Sequence, residues 1–183
     1  YLEFSKELFI AGSTHQEDEA ALLEAWKNFP HNKQKPQLLI APRKINRSDQ
    51  IAQACIKEGF STQKSSLLCT KQVPTNLDIL ILDRFGKLAS LYPQAQAAFI
   101  GGCFNQKIGG HSPAEATAAG VPVVGGPLTH SNPQGWKEAN ASLIGKPEEL
   151  LHAILDRLQQ PKEERQKESA VQQCIEQLPL GRC

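Results

Sequence analysis

Short apolar runs alternate with amphipathic stretches along most of the chain, and this alternation predicts an α/β fold. The apolar runs predict strands at residues 8–11, 37–41, 67–70, 79–82, 97–101, 122–125 and 142–144. The stretches with helical spacing predict helices at residues 17–29, 48–59, 85–92, 113–120, 133–139 and 147–159. We therefore expect a Rossmann-like parallel sheet with helices on both faces.

This predicted domain spans residues 7–160. Residues 1–6 are interpreted as a linker, and residues 161–183 as an amphipathic C-terminal helix and tail. The chain begins at Tyr1 and contains no methionine, so we expect further sequence upstream of it.

Local sequence also predicts where some helices begin. The segments Thr14 to Glu17 and Ser112 to Glu115 both fit the S/T-x-x-E capping box. Asn132-Pro133 combines a capping residue with a proline at the first helical position.

The charge balance and the cysteines exclude several classes of protein. Lys and Arg number 20 against 19 Asp and Glu, so the formal charge of +1 provides no broad basic field for nucleic acid. The five cysteines contain no C-x-x-C pair, which argues against a disulfide framework or a zinc site and favours a reducing cytoplasm. No apolar run approaches the ~20 residues of a membrane-spanning helix.

Candidate chemistry follows the strands, because ligands of open parallel sheets bind outside the carboxyl ends of the strands. The segment Gly109 to Glu115 places a glycine turn before a helix, which suits a phosphate at the turn and a ribose beside Glu115. The alternative is that the glycines only make a turn and Glu115 only closes a capping box.

Other polar residues at strand ends have equally simple alternatives. Arg43 follows a strand and could bind a phosphate or carboxylate, or be an ordinary surface arginine. His15 and His111 could hold an anion or serve as structural hydrogen-bonding groups. Ser13 and Thr14 could contact a ligand or only cap a helix.

Missing motifs narrow the function further. The chain has no G-x-G-x-x-G, G-x-x-x-x-G-K-[ST] or G-x-S-x-G, so dehydrogenase, P-loop and serine hydrolase interpretations lose their main support. It also lacks D-x-D, the acidic pair with which many sugar transferases hold a metal. We therefore expect a metal-free nucleotide-sugar site without a cofactor.

Five motifs follow one another in order: Ala11-Gly12-Ser13-Thr14-His15, Pro42-Arg43, Gly101-Gly102, Gly109-Gly110-His111-Ser112-Pro113-Ala114-Glu115 and residues 120–127. This ordered set resembles the C-terminal domain of Kdo (3-deoxy-D-manno-octulosonic acid) transferases, the GT-B enzymes of glycosyltransferase family 30. The resemblance implies the C-terminal half of a GT-B fold, which binds the donor CMP-Kdo for an inverting transfer to a lipid A precursor.

The resemblance also implies roles for individual residues. The residues expected at the donor phosphate are Ser13, Thr14, Gly109, Gly110 and His111. By the same resemblance, Arg43 would contact the nucleotide, Glu115 the ribose, and Asn132 would lie near the donor sugar.

In that family the general base, the acceptor groove and the membrane anchor belong to an N-terminal domain. The resemblance therefore implies no catalytic residue in this chain, which would bind CMP-Kdo or CMP without turnover. The N-terminal domain would contact the lipid A precursor and the cytoplasmic face of the bacterial inner membrane. Two alternatives remain: another GT-B enzyme that uses a UDP-sugar, such as a transferase or an epimerase, and a non-catalytic nucleotide-binding module.

Overall fold

The computed structural model describes residues 2–159, which form a seven-stranded sheet in the order β3-β4-β2-β1-β5-β6-β7 with all paired strands parallel. The strands are β1 (Leu8–Thr14), β2 (Gln37–Pro42), β3 (Thr62–Lys64), β4 (Ile79–Ile81), β5 (Ala97–Ile100), β6 (Val123–Gly125) and β7 (Ser142–Leu143). The helices are α1 (Gln16–Lys27), α2 (Ser48–Lys57), α3 (Ala114–Ala118), α4 (Pro133–Glu138) and α5 (Leu150–Gln159). The predicted α/β fold class is confirmed.

The sheet is buried on both faces, as expected of an all-parallel sheet. Successive residues of β1 alternate between two cores: Phe9 packs with Trp26 of α1 on one face, while Leu8 and Ile10 pack with Tyr92 on the other. All five side chains are at most 2% exposed. This continuous apolar character is what made β1 recognisable in the sequence.

Strand order reverses between β1 and β5, because β2 lies on one side of β1 and β5 on the other. At such a reversal the connections that follow the two strands leave in opposite directions, which opens a crevice outside their carboxyl ends. The fold therefore places the segments after β1 and β5 on either side of one crevice.

The predicted strand at residues 67–70 is wrong. Residues Ser65–Leu67 form a 3₁₀ turn in which Leu67 is 60% exposed, and the edge strand next to β4 is instead the polar β3. As an edge strand, β3 needs no apolar run, so hydrophobic periodicity could not identify it.

The predicted helix at residues 85–92 is also wrong. Gly86 has a φ of 68°, which an α-helix cannot accommodate, and Phe85 is 79% exposed. The only helical turn in this region is a 3₁₀ segment, Tyr92–Gln94.

Of the predicted helix starts, only the Asn132-Pro133 cap is confirmed, since Asn132 Oδ1 accepts from the Gly135 amide at 3.2 Å. The first capping box forms one residue later than predicted, between His15 and Asp18. Helix α3 begins after Pro113 without a side-chain cap, so Glu115 closes no capping box.

The first described residues contact the domain. Glu3 forms a β-bridge with Gln72, and the Phe4 amide donates to Gln94 Oε1 at 3.2 Å. A linker role for residues 1–6 stays a prediction, and the predicted C-terminal helix at 161–183 lies outside the described residues. Between residues 2 and 159, no helix combines the length and apolar character needed to cross a membrane.

Candidate functional site

One wall of the crevice is the end of β1, where the backbone is irregular. The pairing of β1 with β2 shifts between Gly12 and Thr14, and Ser13 at this bulge has a φ of 54°. A non-glycine residue in the left-handed region costs about 1–2 kcal/mol, and such strain concentrates at functional sites. Ser13, predicted as a ligand contact, is thus half-buried at a strained point of the crevice wall.

Asp18 joins the two walls of the crevice. Its Oδ2 accepts from the His15 amide on the β1 side and from the Gly102 amide on the β5 side, both at 2.8 Å. Gly101 leaves room for this carboxylate, because a Cβ there would lie 2.7 Å from Asp18 Oδ2 and 2.6 Å from Ser13 O. The two segments are therefore held in contact across the strand-order reversal.

The Asp18 carboxyl is only 1% exposed, and its Oδ1 has no hydrogen-bond partner among residues 2–159. Burial raises its pKa from 3.8 to about 6, although the amides of Gly102 and His15 oppose this effect. A buried carboxylate that is only half satisfied is costly, which suggests that it positions the loops rather than stabilises the fold.

Two histidines meet across the crevice. The Nε2 atoms of His15 and His111 lie 2.8 Å apart, and the rings are nearly parallel, at 13°, with centroids 5.1 Å apart. Burial lowers the pKa of both rings, and the charge of Arg43 lowers that of His111 further. Both rings are therefore favoured in the neutral state.

The glycine turn is built differently from the prediction. We expected its amides to point at a ligand, but those of Gly109, Gly110 and His111 each donate at 3.0 Å to the carbonyls of Asn105, Gly102 and Gly101. Gly109 and Gly110 have φ values of 69° and 82°, and a Cβ on either would meet neighbouring atoms. The turn positions the His111 side chain, while its amides hold the loop together.

Thr14 also has an internal partner. Its hydroxyl donates to Glu19 Oε1 at 3.1 Å, and the Glu19 carboxylate receives a bidentate pair from Arg47 at 2.9 and 2.7 Å. Thr14 is 1% exposed. In the pair Ser13-Thr14, Ser13 is thus the more accessible residue.

Arg43 follows β2 at the same edge of the sheet. Its amide donates to Thr14 O at 3.0 Å, and its side chain is exposed. Because its charge acts on His111, the structure brings the predicted cation and the histidine pair to one part of the crevice.

Glu115 and Asn132 border the crevice on the β5 and β6 side. Glu115 is exposed in the first turn of α3. Asn132 caps α4, and its Nδ2 donates to Ser112 Oγ at 3.3 Å, which joins α4 to the segment before α3. All eight predicted binding residues therefore lie at the carboxyl edge of the sheet, although Thr14 and the turn amides have internal partners.

Sequence reasoning missed Asp18 and Tyr92. Asp18 is one of three acidic residues in the first turn of α1, a pattern that suits the helix dipole, and only the His-x-x-Asp spacing could have indicated its capping role. Tyr92 is buried with its hydroxyl against Gly12, and burial, aided by the charge of Glu115, raises its pKa. The contact between Tyr92 and Gly12 had no local signal in the sequence, because these two residues meet only in the folded domain.

The described residues around the crevice form no cluster of metal-binding side chains. Among residues 2–159, His, Cys, Asp and Glu side chains form no group of three or more that could hold a metal ion. The positive charges that act on the histidine pair include Lys44, which lowers the pKa of His15, and Arg43, which lowers the pKa of His111.

Comparison with solved structures defines the fold. The chain superposes on the C-terminal CMP-Kdo binding domain of WaaA from Acinetobacter baumannii with a TM-score of 0.80, at 22% identity, over 94% of this chain and 90% of that one. WaaG, a glycosyltransferase involved in lipopolysaccharide biosynthesis, gives a TM-score of 0.56 at 13% identity, over 93% of this chain and 42% of WaaG. The fold is the C-terminal half of a GT-B glycosyltransferase.

Sequence comparison then identifies the family. The chain is 33% identical over 129 residues to a 3-deoxy-D-manno-octulosonic acid transferase of Aquifex aeolicus, and 30% identical over 166 residues to one of Rickettsia bellii. These alignments cover 70% and 88% of this chain. The chain belongs to the Kdo transferase family, which confirms the resemblance of its motifs.

The chain spans about one third of the length of these relatives: 34% of the Aquifex protein and 38% of the Rickettsia protein. No family model matches the sequence.

Proposed function

We propose that the chain is the donor-binding half of an inverting glycosyltransferase that moves Kdo from CMP-Kdo to a lipid A precursor. Its relatives are named Kdo transferases, and a solved domain of the same fold is a CMP-Kdo binding domain. The observation that carries the proposal is the junction at Asp18, which joins the segment after β1 to the segment after β5.

The proposed chemistry is stabilisation of the leaving group. When CMP departs from the sugar, negative charge develops on a single phosphate, and preorganised donors aimed at it lower the barrier. Because the turn amides have internal partners, we assign this role to side chains: the Arg43 guanidinium, the His111 ring and the Ser13 hydroxyl. Glu115 would accept from the ribose hydroxyls, and Asn132 would lie near the sugar.

We also expect transfer without a metal ion, since one phosphate needs less compensating charge than a diphosphate. The general base and the acceptor site are assigned to an N-terminal domain, since the chain spans only about a third of its relatives' length. The same domain would provide peripheral association with the cytoplasmic face of the inner membrane. Under this proposal the 183-residue chain binds CMP without turnover.

Calorimetric titration with CMP and UDP tests the donor assignment. We expect CMP to bind more tightly than UDP, and Arg43→Ala and Glu115→Ala each to weaken CMP binding by about 1–3 kcal/mol through loss of a charge-assisted contact. Lys33→Ala is a matched control, because Lys33 is exposed in the loop that precedes β2, at the opposite edge of the sheet. A preference for UDP would instead indicate another GT-B enzyme.

Joining the chain to the N-terminal domain of a family member tests the activity itself. We expect Kdo transfer from CMP-Kdo that persists in the presence of a chelator. Intact CMP binding without any transfer would contradict the proposal and favour a non-catalytic nucleotide-binding module.

A further inference from the structure

The contact between His15 and His111 restricts the protonation states of both rings. A hydrogen bond between two imidazole nitrogens requires a hydrogen on one and a lone pair on the other. The 2.8 Å separation of the Nε2 atoms therefore makes one histidine the donor and the other the acceptor.

The cap of α1 decides which ring donates. The His15 side chain accepts from the backbone of Asp18 in the capping box, and its Nε2 already faces His111. The accepting atom is therefore Nδ1, which must lack a hydrogen, so neutral His15 carries its hydrogen on Nε2. His15 is the donor, and His111 accepts through Nε2.

The consequence for His111 is a single neutral tautomer. Since its Nε2 accepts, its hydrogen must be on Nδ1. A Cβ placed on Gly102 would lie 3.0 Å from His111 Cδ2 and 3.3 Å from its Nε2, so this edge of the ring faces Gly102. The opposite edge, which includes Nδ1, is turned away from Gly102, and the ring is only half-buried.

We propose that His15 is a positioning residue that holds His111 as the neutral Nδ1–H tautomer, so that His111 donates to a phosphate oxygen bound beside Arg43. This inference rests on the proposed nucleotide site and adds a direction to the hydrogen bonds within it. The chain of donors runs from the Asp18 amide through His15 and His111 to the ligand.

The charges around the pair agree with a neutral chain of donors. Glu17 and Glu19 raise the pKa of His15, while burial, Arg47 and Lys44 lower it, and the net direction is down. For His111, burial, His15 and Arg43 all lower the pKa. A second proton on His111 Nε2 would break the bond between the rings, so the tautomer is retained at neutral pH and lost on acidification.

Long-range proton–nitrogen NMR of the chain labelled at its five histidines tests the tautomers without any ligand. We expect the Nε2–H form for His15 and the Nδ1–H form for His111 at pH 7.5. Addition of CMP should then shift the His111 Nδ1 resonance while the ring stays neutral. An Nε2–H tautomer in His111, or an imidazolium after CMP binds, would overturn the proposal.

Paired amide substitutions test the direction of donation. The side-chain amide of asparagine can place its nitrogen near the position of histidine Nδ1, whereas the amide of glutamine can place it near the position of Nε2. His111→Asn should retain most CMP affinity, whereas His111→Gln should lose about tenfold or more. His15→Gln should keep His111 in the Nδ1–H form, whereas His15→Leu should let it revert to Nε2–H. His31→Gln, at an exposed loop residue, is the control.

The outcomes separate the two proposals. If CMP binds but His111→Gln is the better tolerated variant, the tautomer proposal fails while the nucleotide site stands. If CMP does not bind, the proposed function fails, and with it the ligand contact assigned to His111.

Discussion

Two aspartates at the carboxyl edge of the sheet occupy different electrostatic environments. Asp83 follows β4 and accepts from Ser65 Oγ at 2.7 Å, from the Ser66 amide at 2.8 Å and from Ser66 Oγ. Burial raises its pKa, but these donors outweigh burial, and the net pKa is lowered. Asp83 is therefore a satisfied carboxylate that stabilises its loop.

Asp18 has the opposite balance. Its two amide donors share Oδ2, and Oδ1 has no partner within the part of the chain that the structure describes. Burial raises its pKa to about 6. The partners of Asp83 are 17 or 18 residues away in sequence, whereas Gly102 is 84 residues from Asp18. The hydrogen bonds of Asp83 stabilise the loop after β4. Burial of the Asp18 carboxylate instead lowers the stability of the fold, but it fixes the loop after β1 relative to the loop after β5.

The largest expected effect is on the pH dependence of stability. Asp18 has a folded pKa of about 6 against 3.8 unfolded, so its favourable contribution is fully present below pH 3.8 and lost as the pH rises through 6. Relative to Asp18→Asn, the wild type should lose up to about 3 kcal/mol of unfolding free energy between pH 4 and 7. Denaturant titrations at several pH values would measure this difference.

Asp83→Asn is the matched control for that profile. Because the folded pKa of Asp83 is lowered, its contribution is present above pH 3.8 and lost only at more acidic pH. The difference between this variant and the wild type should therefore stay nearly constant from pH 5 to 7. Parallel profiles for the two variants would show that the contrast between the aspartates is not real.

The degree of burial decided which elements could be predicted from the sequence. Strands such as β1 and β5 were visible because their residues are buried on both faces and continuously apolar. The edge strand β3 and the turns around Gly86 were missed, because β3 is polar and only partly buried and the turns have no regular pattern of apolar side chains.

Within the site, residue types at strand ends were sufficient to locate the crevice, and ordered motifs were sufficient to suggest the family. Partners were not predictable: His15 and His111 are 96 residues apart, and the internal use of the turn amides depends on where Gly101 and Gly102 lie after folding. Contacts of this kind follow from the order of strands, which a single sequence does not specify locally.

The second prediction concerns the close packing of the two loops around Gly101. Gly101→Ala would place a Cβ 2.6 Å from Ser13 O and 2.7 Å from Asp18 Oδ2, so the loops must separate. We expect a loss of about 1–3 kcal/mol in stability from overpacking, together with weaker CMP binding. Thermal unfolding and calorimetric titration would measure the two effects.

Gly59→Ala serves as its control, because a Cβ at Gly59 would meet no atom of the described residues within 4 Å, although an alanine there must adopt a φ of 87°. This variant should lose stability through backbone strain and bind CMP as the wild type does. If Gly101→Ala also binds CMP normally, the loops joined by Asp18 do not form the ligand site.

The smallest expected effect separates Ser13 from Thr14. Ser13→Gly removes a hydroxyl and relieves a φ of 54°, so stability should rise by about 1 kcal/mol while CMP binding weakens. Thr14→Val removes the donor to Glu19, so it should lower stability by about 1 kcal/mol and leave CMP binding unchanged. Measuring both quantities for both variants matters, because a strained residue that could be relaxed without loss of binding would have no functional reason for its strain. A Ser13→Gly variant that is more stable and binds CMP normally would therefore show that the bulge at the end of β1 serves only the fold.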